Sequence, residues 1–442
     1  MPANDRQTGS TLLPATQSGE VRELARTLWL VTVLGIVYGT LIPFEFHGDM
    51  DLARERAVAA LQADAPWSGR RGLSTTDLVQ NLLLFVPFGF FARLARVGLV
   101  PALAGAVLLS TTVECLQLLT LNRTTSWLDI ATNGAGAMGG YLFAPRLLHT
   151  VTGLYGAFVA TGFSGRAPGR VASALLALAV IHHLEPFAFT LDIGHAWQQL
   201  KGLTQTFFLK PQGGDGLTFL HWFLAGSLLI AGMRERVAVS RYAVALGALA
   251  LAAEFSQFLI RARVPGFHDL LVAWAGIAAG LAFSRRRQAT AAAGTGRGPG
   301  GSDGAALLAT LVLFLAACAW DLLYPFELER FHGVTWLPFK PSYARTTFTT
   351  LSNNTQLVLA GMASGIVFGS QAPSRAARNV ALLLALAGFA LLEFCQAWVV
   401  GRYSDTGDVI ALALGMWIGG RLVSVFLQPS GRPGPRDPIR SH

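Results

Sequence analysis

The sequence predicts an all-α polytopic membrane helix bundle, with about twelve transmembrane helices in three parallel four-helix repeats. Three observations carry that expectation. The chain is 52% hydrophobic and only 13% charged, with a mean hydropathy of +0.47, whereas soluble domains carry roughly 25% charged residues. Apolar runs long enough to cross a hydrocarbon core of about 30 Å recur four to a group. A single polar string occurs three times without internal insertion: Glu, then Gln three residues on, Arg nine on and Asp fifteen on. It reads Glu114, Gln117, Arg123, Asp129; Glu254, Gln257, Arg263, Asp269; and Glu393, Gln396, Arg402, Asp408. Repetition at a fixed period is the signature of a duplicated structural unit.

The first group of spans is expected at 25–43, 76–94, 98–121 and 127–147, and the second at 171–189, 217–233, 239–260 and 267–284. The third is expected at 304–325, 351–370, 378–400 and 405–427. Accordingly, residues 1–24 form an N-terminal segment, 25–150, 151–284 and 304–427 the three repeats, 285–303 a flexible linker and 428–442 a disordered tail. The linker and tail are rich in Gly and small polar residues that bury little apolar surface. The apolar stretch 151–163 is too short to span and is expected to be interfacial or re-entrant.

Basic residues set the orientation. Arg93, Arg96, Arg234, Arg236, Arg285, Arg286, Arg287 and Arg375 fall in loops on one side, which places both termini in the cytoplasm by the positive-inside tendency. An even number of helices per repeat keeps successive repeats in one orientation, which argues against an inverted-repeat transporter. The net charge of +9 is dispersed over short loops and not gathered on one face, so nucleic acid is excluded as a partner. Cys115, Cys318 and Cys395 are odd in number and lack CxxC spacing. His182, His183, His221 and His268 show no ligand spacing, so satisfied polar roles are expected and neither metal nor cofactor is implied.

Glu and Gln three apart share a helix face. Each Glu is expected about seven residues before its helix ends, where a carboxylate must face the bundle and find a partner, with the following Arg as the nearest candidate. Each Asp is expected to open the fourth helix as a cap. Glycines seven and eleven residues after it, Gly136 and Gly140, Gly276 and Gly280, Gly415 and Gly419, lie on one face and permit close packing in a tight hairpin of third and fourth helices. Each repeat opens with a helix ending in Pro-Phe: Pro43-Phe44, Pro186-Phe187 and Pro325-Phe326, expected interface anchors.

In the first repeat the run Asn81-Leu-Leu-Leu-Phe85-Val-Pro87-Phe-Gly89, followed by Glu114, Gln117, Arg123, Asp129, Asn133 and Gly136, resembles the VanZ-like family, named for a teicoplanin-resistance protein. The second and third repeats keep Glu, Gln, Arg, Asp and the glycines but have Ala273 and Leu412 for Asn133. Their counterparts to the Asn81 and Pro87-Phe88-Gly89 signature are eroded, with His221 and Ala225-Gly226 in one, Asn353, Asn354 and Ala360-Gly361 in the other. The resemblance implies three tandem domains, a bacterial cytoplasmic membrane and a link to lowered glycopeptide sensitivity. It implies no particular reaction.

Two readings of the polar string stay open at this point. One is a structural clamp that closes the hairpin. The other is an outward-facing pocket in which Arg binds an anionic lipid or lipid-linked glycan headgroup and Glu accepts a proton or hydrogen bond. At the level of function, a headgroup-binding envelope protein competes with two alternatives. One is an enzyme on a phospholipid or polyprenyl phosphate, with Glu114 as general base and Arg123 as clamp; the other is a proton-coupled transporter or flippase. Oligomeric state is not legible.

Overall fold

A computed structural model describes residues 15–63, 75–120, 125–162, 167–185, 193–202, 211–232, 239–260, 265–292, 301–343 and 347–427. The chain divides into two compact units, Met1–Tyr155 and Gly156–His442. Helix dominates both.

The first unit contains α1 (Ala15–Leu41), α2 (Met50–Ala63), α3 (Thr75–Leu94), α4 (Leu99–Gln117) and most of α5 (Trp127–Gly162). Its core joins Ile36, Phe85, Phe88, Ala106 and Ala137, with Trp29 edge-on to Phe88 at 5.3 Å. The stretch 151–163 is not a separate interfacial piece: α5 runs unbroken through it to Gly162, past an internal Pro145. Its residues simply continue an apolar helix, and length alone could not reveal that.

The second unit contains α6 (Ala167–Leu184), α7 (Ile193–Gly202), α8 (Asp215–Gly232), α9 (Val239–Ser256), α10 (Phe267–Ala292), α11 (Gly301–Leu323), α12 (Lys340–Tyr343), α13 (Thr347–Gln371), α14 (Arg375–Cys395) and α15 (Thr406–Leu422). A two-stranded parallel ribbon pairs β1 (Val334–Thr335) with β2 (Ser404–Asp405). One continuous core runs through the unit, from Leu175, Leu220 and Trp222 to Phe314, Phe368 and Phe389. The linker expected at 285–303 is shorter than its composition suggested, because α10 extends to Ala292 and α11 starts at Gly301. The tail 428–442 lies outside the described residues.

Seven helices among the described residues are long and apolar enough to cross a membrane: Gly19–Leu41, Leu99–Gln117, Val239–Leu259, Phe267–Ala289, Gly304–Leu323, Arg375–Trp398 and Thr406–Val425. Gln80–Leu94 and Pro168–Leu184 are shorter apolar helices. The protein is thus a multi-pass membrane protein whose apolar helices contact the bilayer. Three helices, α2, α7 and the single turn α12, occupy connections between the expected spans.

The glycines settle which helices pack. A Cβ on Gly136 would overlap the carbonyl oxygen of Leu82, and one on Gly140 that of Val86. The same overlap sets Gly276 against Phe219, Gly280 against Phe223, Gly415 against Val358 and Gly419 against Met362. The glycine face of each fourth helix therefore rests on the second helix (α3, α8 or α13), and not on the third as the hairpin expectation had it. The second helices reciprocate: Gly89, Gly226 and Gly365 crowd the carbonyls of Ala137, Ile277 and Met416. This contact equates Gly365, not Gly361, with Gly89. It also sets Thr218 and Leu357, rather than His221 and Asn353 or Asn354, at the place of Asn81.

Candidate functional site

Each Glu of the polar string is buried and accepts a hydrogen bond from the backbone N–H twelve residues later. Ser126 N–H donates to Glu114 Oε2 at 3.0 Å, Gly266 N–H to Glu254 Oε1 at 2.7 Å and Asp405 N–H to Glu393 Oε1 at 2.7 Å. The three residues are 3, 5 and 2% exposed. The donor in each case directly precedes the fourth helix, so its N–H is one that no helical carbonyl can satisfy. A capping box would supply an acid from the third helical position, which here holds Asp129, Asp269 or Asp408. The third helix supplies it instead. The Asp residues therefore stand in the first turn, three places past the expected cap position.

Gln completes the joint on the other side. Gln117 Nε2 donates to Thr40 O at 3.0 Å and Gln257 Nε2 to His183 O at 3.3 Å, each acceptor lying three residues before the Pro-Phe pair. Gln257 and Gln396 also donate to Oε2 of their own Glu at 3.3 Å. The glutamates lie at the very end of the third helix, three residues before Gln, and not seven residues inside it. Beyond them the helix tightens to a 3-10 turn at Gln257–Leu259 and at Gln396–Trp398. The chain then bridges to the segment after Pro-Phe, Thr120 with Phe46 and Val399 with Leu328. Phe44 and Phe326 take positive φ angles of 62° and 64°, and each donates its N–H back to the preceding helix, to Leu41 O and Leu323 O.

Arg123 and Arg263 lie outside the described residues. Arg402 Nε donates to Tyr324 O at 2.8 Å, at the end of α11. Its guanidinium also sits where a Cβ on Gly213 would be. Arg402 and Asp408 both lie close enough to Glu393 to act on it electrostatically. The structure thus brings Glu393, Gln396, Arg402 and Asp408 to one place.

Asn133 Nδ2 donates to Ser110 Oγ at 2.9 Å, one turn below Glu114. Asn81 is half-buried on α3. Two acids that the string does not contain also build this end of the second unit. Asp405 caps α15 through the N–H of Gly407 at 2.8 Å and holds Phe339 N–H at 3.0 Å. Asp321 caps α8 from another helix, accepting from Gly214, Gly216 and Leu217 N–H at 3.0, 2.7 and 2.8 Å. No sequence signal marked Asp321, a lone acid near a helix end.

Among the described residues no group of His, Cys, Asp and Glu is placed to hold a metal ion. In comparison with known proteins, the VanZ/LLP1 family model matches residues 9–149, so the first polar string lies in a VanZ-like domain. No curated protein and no solved structure matches the chain.

Proposed function

We propose that the chain is a bacterial inner-membrane protein of three VanZ-like four-helix units, with twelve spans and both termini cytoplasmic. In this reading it binds the headgroup of an anionic lipid or lipid-linked glycan at the outer face and changes how that headgroup is presented. The VanZ-like match to residues 9–149 supports the family reading for the first unit. The shared Glu-to-backbone bond and glycine contacts support extending it to the other two. The five remaining spans would be α3, α5, α6, α8 and α13.

One observation supports the binding reading: the described residues on either side of Arg123 in sequence are held in place. Glu114 holds Ser126 after it, and Thr120 bridges to Phe46 before it. Guanidinium is the side chain best matched to phosphate or carboxylate, which makes Arg123 the residue to test. Arg402 is engaged with Tyr324 O and abuts Gly213, and the family match falls on the first unit, so the first unit is the place to look for ligand. The glutamates then serve as the frame of the site.

The test is lipid analysis of the intact protein purified in nanodiscs. Arg123→Ala is expected to fold normally and to lose an anionic lipid or lipid-linked glycan that wild type retains. Identical lipid content in both would refute the binding reading. If the retained species is a cell-wall precursor, expression should lower glycopeptide sensitivity, and Arg123→Ala should abolish that change.

A further inference from the structure

We infer that the second unit contains a proton-binding site, formed by His182, His183, Glu185, His221 and Gln356, beside the end of α9 that carries Glu254. The four ionisable members are at most 3% exposed. Three histidines and an acid in one buried place are costly, since each must be hydrogen-bonded or shed its charge.

The geometry tells what the cluster can hold. His182 on α6 and His221 on α8 stack with ring centroids 4.4 Å apart and planes 12° from parallel. Two imidazolium rings at that separation repel, so the pair accepts one proton and resists a second. His221 Nδ1 lies 2.8 Å from Leu217 O. A carbonyl oxygen only accepts, so Nδ1 carries the ring's hydrogen and Nε2 is its basic nitrogen. Nε2 is buried and makes no hydrogen bond of normal geometry, but the backbone carbonyl of Leu359 on α13 faces the ring, so a proton added there has an acceptor at hand. His182 Nε2 lies 3.4 Å from Thr218 Oγ1.

Negative charge is at hand. Glu185 Oε1 accepts from Gln356 Nε2 of α13 at 2.7 Å, and His183 Nε2 lies 3.6 Å from Glu254 Oε2 of α9. His183 also meets the Trp222 ring edge-on at 5.6 Å. The other ionisable groups at this end are already engaged: Asp215 of α8 with His268 of α10 at 2.8 Å, and Asp321 of α11 with the amides that open α8. The helix α13 brings no ionisable side chain. This inference stands independently of headgroup binding.

The experiment is deuterium exchange at the imidazole C2 position, read by mass spectrometry across about pH 4.5 to 9 on the intact wild-type protein in nanodiscs. His149 and His332, both exposed, serve as references. One proton should titrate over the His182 and His221 pair inside that range, with a midpoint displaced from the references. Flat exchange at both rings across the range would overturn the inference without recourse to any variant. In folded Glu185→Gln the midpoint should fall by about one pH unit, because a nearby negative charge that favours the protonated ring is gone. An unmoved midpoint there would remove Glu185 from the site.

Discussion

The first and third polar strings share one joint and differ in the layer beneath it. Both glutamates hold the backbone N–H twelve residues on, and both chains bridge to the segment after Pro-Phe. One turn below Glu114, however, Ser110 and Asn133 form a buried polar pair, while Phe389 and Leu412 occupy the same string positions below Glu393. In the second string those positions are Ala250 and Ala273, both fully buried. The joint is dictated by an amide that must be satisfied, so its residues do not vary. The layer below has only to fill volume and pair any polar atom it contains, so three unlike solutions serve.

The comparison can be broken most severely at the glycine contacts, which both strings need alike. Gly136→Val and Gly415→Val each drive a side chain into a carbonyl of the second helix, and a loss above ~4 kcal/mol, in the range of exceptional substitutions, is expected. Membrane abundance of folded protein checks it; normal levels for either variant would mean that the helices can separate at no great cost. Next in size is Asp321→Ala, which frees three amides at the start of α8. A cost of about 3 kcal/mol is expected from lost hydrogen bonds to an acid, seen as a lower Tm of the second unit.

The smallest effect sharpens the comparison. Ser110→Ala strands the Asn133 amide, at a cost of about 1–2 kcal/mol, whereas Ser110→Ala with Asn133→Ala reproduces the pair that the second string already uses. Thermal unfolding of the double variant should lie above that of the single one. The reverse order would show that the polar pair does more than satisfy itself.

Much of this arrangement was legible because polar residues stand out against an apolar background. The spacing of Glu, Gln, Arg and Asp marked the residues of the joint, but the glycines after it pack on the second helix and not on the third as that spacing suggests. What the spacing could not give was the partner of Glu. A backbone N–H has no side-chain signature, so the amides bound by Glu114, Glu254 and Glu393 were not legible, whereas Arg402, the expected partner in the third string, does act on Glu393. Asp405 was hidden because the matching positions are Ser126 and Gly266, which offer the same amide without the same side chain. The register of the second helices was misread at Gly361 because small residues are frequent there, and only the contact of Gly365 with Met416 decides it. The helices α2 and α7 escaped because short polar helices carry no run of spanning length.

The central claim is that one carboxyl-to-backbone joint is used three times. Its most direct test is the thermal stability of the intact protein with Glu→Ala and Glu→Gln at positions 114, 254 and 393. Each Ala variant should lose about 2–4 kcal/mol, since a buried amide is left without an acceptor, and each Gln variant, which keeps an oxygen for that amide, should recover most of the loss. An Ala variant at 114 that melts like wild type, beside destabilised variants at 254 and 393, would contradict the claim and reserve the first carboxylate for a ligand.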